Sequence, residues 1–389
     1  MADIPVHDPV KAAAALAPKI REARDELDSA RRLPKPLVEE LDKAGLLRLG
    51  LPRSMGGLES DPLTSFHAIE ELSRADGSVG WCAMLSSGTA VLTGWLKADV
   101  ARSMFGQPPE FRLAGSIRPE GRALNVDGGY RVSGRWDYAS GVDHASWLLC
   151  TCNVEDNNGP LLTAEGTPVT RVLFAPAQAA TIIDTWDVMG MRGTGSNDFV
   201  LDDVFIPDEH TFSLLDPPQE KGTVYHPRFV FAGLWTQTVA NSLGMARDAM
   251  DAYLQLAEQA SSTMPSTLLR DRAPTQSAVG EAEAIISGAR AYVLDAVGRA
   301  GRAVCNGSPD PSWEIAQARL AITHGMRESV RAVDILFHAA GTNAVHRKHP
   351  LERFFRDIHV AVQHVAGLPS NIEAGGRVML GLPPGGLGW

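Results

Sequence analysis

The chain reads as an α+β protein in three parts: a helical N-terminal region, a middle β-unit and a C-terminal four-helix bundle. Three observations predict this. Residues 9–107 carry apolar stripes at helical spacing. Residues 112–212 break into short β-rich runs between glycine turns. Helical periodicity returns after His226 in four long amphipathic stretches. The domains are expected at 1–110, 111–215 and 216–389.

Each element has its own signal. "DPVKAAAALAPKIREARDELDSARR" is alanine-rich with charges opposite an apolar stripe. "LPKPLVEELDKAGLLRL" carries prolines near its start, where a helix tolerates them. "DPLTSFHAIEELSRADGS" opens on an aspartate cap and ends at Gly77, while "VGWCAMLSSGTAVLTGWL" is apolar nearly all round and predicts a buried helix. In the middle unit, Asp127-Gly128-Gly129 between alternating segments predicts a hairpin. Alternation through "RWDYASGVDHASW" puts Trp136 and Tyr138 on one strand face, with Asp137 and Ala139 on the other.

Composition narrows the function. With 389 residues, 44% hydrophobic and 21% charged, the chain is globular, and its formal net charge of −10 opposes nucleic-acid binding. Four cysteines form no metal-ligand quartet, and Cys150 and Cys152 fall on one strand face as small buried hydrophobes. No metal is expected. "MADIPVHDPV" has no basic-then-apolar leader and no run of 18 apolar residues occurs, so a cytoplasmic protein without a membrane partner is expected. "GMRGTGSNDF" lacks the order of a dinucleotide or P-loop motif.

Four segments, "GGYRVSGRWDYASGVDHASW", "WDVMGMRGTGSNDFVLDDVFIPDE", "SLGMARDAMDAY" and "LFHAAGTNAV…PLERFFRDIHVAVQHV", occur in this order over about 250 residues. They resemble the acyl-CoA dehydrogenase superfamily, and within it the oxygenase branch: hydroxylase components of two-component flavin monooxygenases acting on phenols, dibenzothiophene or indole-type rings. The resemblance implies an acyl-CoA dehydrogenase-like fold, usually a homotetramer. It also implies reduced FMN or FAD with O2 as co-substrate, a small aromatic substrate and a separate NAD(P)H-dependent flavin reductase.

The dehydrogenases of this fold take an α-proton with a glutamate from one of two places in the C-terminal bundle. Here those places read "AVQHVAG" around His364 and "FAGLWTQ" around Leu234, neither with a carboxylate. That favours oxygen insertion through a flavin C4a-hydroperoxide, with a dehydrogenase using a relocated base as the alternative. By the same resemblance, His364 is the base or hydrogen-bonding group at the reacting centre and Ser140 a donor to the flavin. Trp81, Ser116, Trp136, Gly141, Thr194 and Ser196 are expected to contact the cofactor, and His144 and Ser87 the substrate. His359 is expected to face elsewhere. Aromatic hydroxylases of the branch carry a substrate-contacting histidine after the "GW" of an N-terminal helix. Here that stretch offers Ser86, Ser87 and Thr89 instead, leaving an indole-like or other weakly acidic substrate open.

Overall fold

The computed structural model describes residues 8–106, 111–260 and 267–385. The N-terminal residues on which the leader reading partly rests, and the expected boundary at residue 110, lie outside them.

The helical N-terminal region comprises α1 (Pro9–Glu22), α2 (Arg24–Ala30), α3 (Lys35–Lys43), α4 (Pro62–Ala75), α5 (Gly77–Thr89) and α6 (Ala98–Phe105). Aspartates start three of these. Asp8 accepts from Val10 N, Asp61 from Leu63 N and Thr64 N, and Asp76 from Ser78 N and Val79 N. Helix α5 bears no charged residue. Only Trp81, Leu85 and Thr89 escape full burial, and their spacing of four puts them on one stripe.

The middle unit is one mixed sheet of β1 (Leu113–Val126), β2 (Gly129–Trp136), β3 (Trp147–Asp156), β4 (Gly159–Pro160), β5 (Thr170–Pro176), β6 (Thr181–Ile183), β7 (Asp198–Pro207) and β8 (Thr211–Phe212). Its order is β6-β7-β2-β1-β3-β5-β8, with β4 on β3; β1 and β3 run parallel and the other pairs antiparallel. The predicted hairpin forms between β1 and β2, where Gly128 takes the left-handed φ of 77° that the turn requires. One sheet face joins the helical core through Leu149, Val172, Phe174 and Phe212. The other holds a separate core of Trp136, Leu148, Cys150, Cys152, Leu173 and Phe199. Both central cysteines are thus buried and free, as read from their spacing.

The C-terminal region contains α7 (Val230–Gln259), α8 (Ala273–Cys305) and α9 (Ser312–Ala340), followed by α10 (Pro350–Ala361) and α11 (Ser370–Met379). The expected fourth long helix is therefore two short ones. Gly367 and Pro369 lie in the break: a Cβ on Gly367 would stand 2.3 Å from the Val362 carbonyl oxygen, and proline disfavours helix in the residue before it. The break positions His364, which starts a short 3₁₀ turn (Val365–Gly367) rather than continuing α10. Among the described residues no helix is long and apolar enough to cross a membrane, and no group of three or more His, Cys, Asp or Glu could hold a metal.

Candidate active site

Strand β2 ends at Trp136, and the alternation expected beyond it does not continue. Tyr138 adopts a φ of 56° and lies 59% exposed, while Ala139 turns into the core. This reversal lays Ser140 and Gly141 against the loop before β7. Ala139 N donates to the Asn197 carbonyl (3.2 Å) and Gly141 N to the Thr194 carbonyl (2.8 Å). Gly141 has a φ of 78°, which a side chain would strain.

The result is a chain of hydrogen bonds. Trp81 Nε1 meets Ser140 Oγ at 3.1 Å, Ser140 Oγ meets Ser196 Oγ at 2.6 Å, and Ser196 Oγ meets Thr194 Oγ1 at 2.7 Å. Thr194 Oγ1 in turn reaches the Met191 carbonyl at 2.8 Å. The ends fix its direction. An indole N–H only donates, and Thr194 commits its one hydroxyl hydrogen to a carbonyl. Ser196 therefore donates to Thr194, and Ser140 donates to Ser196. This recasts the expectation for Ser140: its proton points along the chain, and it offers a ligand lone-pair density instead.

His364 closes the site from the bundle. Its ring meets Trp81 edge to face, with centroids 5.5 Å apart and planes at 85°. Ala366 N donates to its Nδ1 (3.2 Å), so a neutral ring carries its hydrogen on Nε2, which meets no hydrogen-bond partner among the described residues. Burial lowers its pKa to about 4. In this state His364 is a hydrogen-bond donor rather than a base. His359 turns to α9, with Nε2 2.9 Å from Asp334 Oδ1.

The other expected contacts divide. His144 packs behind the Ser140 turn: a Cβ on Gly141 would lie 2.9 Å from His144 Nε2. Burial, then nearby Arg112, lowers the His144 pKa to about 4. Trp136 and Ser87 are committed to the scaffold, whereas Ser116 stays half-exposed. Trp136 is fully buried, donates Nε1–H to the Thr151 carbonyl (3.0 Å) and stacks on Phe199 inside the second core. Ser87 is fully buried and spends its hydroxyl on the backbone before α4, donating to the Leu46 carbonyl (2.7 Å) and accepting from Leu49 N (3.3 Å). Ser116 sits at an irregularity of β1, its hydroxyl accepting from Arg118 N (3.4 Å).

A buried ionic cluster joins the site's supports. Arg353 on α10 pairs with Asp76, the α5 cap (2.7 Å), and with Asp357 (3.5 Å). Asp357 Oδ1 accepts from Met191 N (2.5 Å), next to the carbonyl that ends the hydroxyl chain. Desolvation, opposed mainly by Arg353, raises the Asp357 pKa to about 6. Sequence reasoning missed this cluster, although Arg353 and Asp357 stand four apart on a helix, the spacing of an ion pair. With both oxygens engaged, Asp357 is not a free base.

The hydrogen-bonding positions left open suit a flavin ring: half-exposed Trp81 and His364 stand beside Ser140, with the His364 Nε2–H free to donate and Ser140 Oγ free to accept.

The fold and this cluster of side chains define an acyl-CoA dehydrogenase-type scaffold. Family models for the acyl-CoA dehydrogenase N-terminal and C-terminal domains match residues 11–96 and 237–367. The oxygenase subunit HsaA of a flavin-dependent monooxygenase from Mycobacterium tuberculosis is 30% identical over 380 residues, covering 95% of this chain and 94% of its own length. The HsaA crystal structure superposes with a TM-score of 0.86 over 97% of this chain and 98% of its own, at 29% identity. Indole-3-acetate monooxygenase of Pseudomonas putida is 30% identical over 360 residues, 92% of this chain and 90% of its own. XiaF from Streptomyces, solved in complex with FADH2 and glycerol, gives a TM-score of 0.85 at 26% identity, over 98% of this chain and 97% of its own. The chain belongs to the acyl-CoA dehydrogenase superfamily, in the family of flavin-dependent monooxygenase oxygenase subunits.

Proposed function

We propose that the protein is the oxygenase component of a two-component monooxygenase that places one atom of O2 on an aromatic or heteroaromatic small molecule. Reduced FMN or FAD, supplied by a separate NAD(P)H-dependent reductase, provides the two electrons that send the other oxygen atom to water. The observation that carries this reading is the replacement of the dehydrogenase base. By the family resemblance its two places fall at His364 and Leu234, neither a carboxylate, and Asp357 is tied to Met191 N and Arg353.

Each site residue then has a physical task. His364 holds a proton on Nε2 and directs it at the reacting centre. Trp81 walls the site, and the one-way hydroxyl chain keeps Ser140 from rotating freely, so its oxygen stays a fixed acceptor. Such preorganised dipoles act strongly where water is excluded. Exposed apolar residues at the last helix and beyond, Ile372, Met379, Leu380 and Leu382, suit burial between copies in the homotetramer that the resemblance implies. Free cysteines fit a cytoplasmic setting.

The test uses ¹⁸O2, a generic flavin reductase and a panel of phenols and indoles. The expected result is one ¹⁸O in a product. Oxygen consumed wholly as hydrogen peroxide across the panel, with either flavin, would sink the reading.

A further inference from the structure

The half-exposed stripe of α5, Trp81, Leu85 and Thr89, runs away from His364 and passes beside the buried Gly88, which packs against a second polar group. Trp81 and Gly88 are seven residues apart, about 10 Å along a helix. At the Gly88 end, a Cβ would come 3.2 Å from Leu234 Cδ2 and 3.6 Å from Gln237 Nε2, both on α7. Leu234 and Gln237 also line a narrow cavity with Gly50, Ser65, Val91 and Val230. Its free volume is about 10 Å³, the room of one water molecule. None of its lining residues is charged. Gln237 is only 4% exposed, yet its Oε1 has no hydrogen-bond partner. A buried carbonyl oxygen without a partner is costly, and a ligand that supplies one removes the cost.

Resting on the monooxygenase reading, we propose that Gln237 is a specificity residue. It receives a small uncharged hydrogen-bonding group, a hydroxyl, carbonyl or primary amide, at the end of the aromatic substrate remote from the oxygenated carbon. An amide rotated about its last bond presents either a donor or an acceptor, so each of these groups is served. A carboxylate in the same place would be buried without a counter-charge among the lining residues and is disfavoured. The substrate class is therefore a neutral, extended aromatic compound rather than an aromatic acid.

The experiment compares three 4-substituted phenols whose five-atom chains end in methyl, primary amide or carboxylate. Equilibrium binding to the flavin-saturated protein is measured for the native chain, Gln237→Leu and the unbranched Gln237→Met. The expected native ranking places the amide about tenfold tighter than the methyl compound, with the carboxylate weakest. In either variant that folds, the amide and methyl compounds bind alike. Equal affinities in the native protein, as when the cavity merely keeps a water, overturn the proposal. So does a folded variant that retains the amide preference. Hydroxylation of unsubstituted phenols and indoles is followed in parallel. Its absence in the native protein counts against the monooxygenase reading, whereas binding blind to the chain end counts against Gln237 alone.

Discussion

Trp81 and His364 meet edge to face across the boundary between the first helical region and the bundle, with ring centroids 5.5 Å apart. The contact and the surrounding burial hold the imidazole neutral, with a pKa near 4 against an ordinary 6.5. At every pH from about 5 upward, His364 therefore keeps its single hydrogen on Nε2. We expect hydroxylation to show no acidic limb near pH 6.5 and to fall only below about pH 5. His364→Ala should lower product formation by about 10²-fold while oxygen consumption continues as hydrogen peroxide. The ratio of product to peroxide across pH 5–8 checks both points. A limb near 6.5 that His364→Ala abolishes would contradict the neutral donor.

The two tryptophans given the same expectation from sequence separate cleanly by experiment. Trp136→Phe loses the bond to the Thr151 carbonyl and part of the stack on Phe199, both inside the second core. It should cost about 1–3 kcal/mol of stability with little change in flavin affinity. Trp81→Phe removes the donor that starts the Ser140–Ser196–Thr194 chain. It should weaken flavin binding several-fold with a smaller change in Tm. Flavin titration beside thermal denaturation distinguishes the two, and equal effects on affinity would refute the division.

The reason sequence could not separate them is physical. Helix stripes, the Asp61 cap and the Asp-Gly turn are local signals and were legible, whereas the Asp8 and Asp76 caps emerged only in the structure. Trp136 and Trp81 acquire different roles only through long-range pairing of β2 with β7, which brings Ser196 to Ser140. Tyr138 in a left-handed conformation defeats simple alternation, because nothing short-range requires a non-glycine residue there. Gly367-Leu368-Pro369 did carry a break signal, but the helical pattern on both sides masked it. Ser87 looked available as a hydroxyl near "GW", yet backbone groups of Leu46 and Leu49 claim it. The buried polar run around Gln237 was visible as residues; its orphaned carbonyl oxygen required packing.

The break before α11 is itself testable. Gly367 has no room for a side chain, since a Cβ would stand 2.3 Å from Val362 O. The only relief is movement of the 3₁₀ turn that His364 begins. Gly367→Ala should therefore displace the Nδ1 acceptor from Ala366 N and reduce hydroxylation at least tenfold. Overpacking of this kind costs roughly 1–3 kcal/mol, so the fold survives and a modest Tm loss is expected. Native-like product yield in Gly367→Ala would show that the turn tolerates the shift without moving His364.

Asp357 makes a prediction opposite in sign to that of the buried histidines. Its pKa rises to about 6 because desolvation outweighs the attraction of Arg353, with Asp76 adding repulsion. Between about pH 4 and 6 the folded protein holds a proton there that the unfolded chain has released. Stability from this group is therefore full below pH 4 and is lost as pH rises through 6. His144 and His364, both lowered to about 4, push the other way, gaining stability as pH climbs from 4 toward 6.5. Total stability mixes these contributions, but the difference between the native protein and Asp357→Asn does not, because the histidines are common to both. Asparagine keeps an acceptor for Met191 N and does not titrate. The Tm of the native chain minus that of Asp357→Asn should fall by a few degrees from pH 4 to 6.5 and then level off. A difference that grows with pH would mean that Arg353 keeps Asp357 ionised throughout, and that the attraction rather than the burial governs this carboxylate.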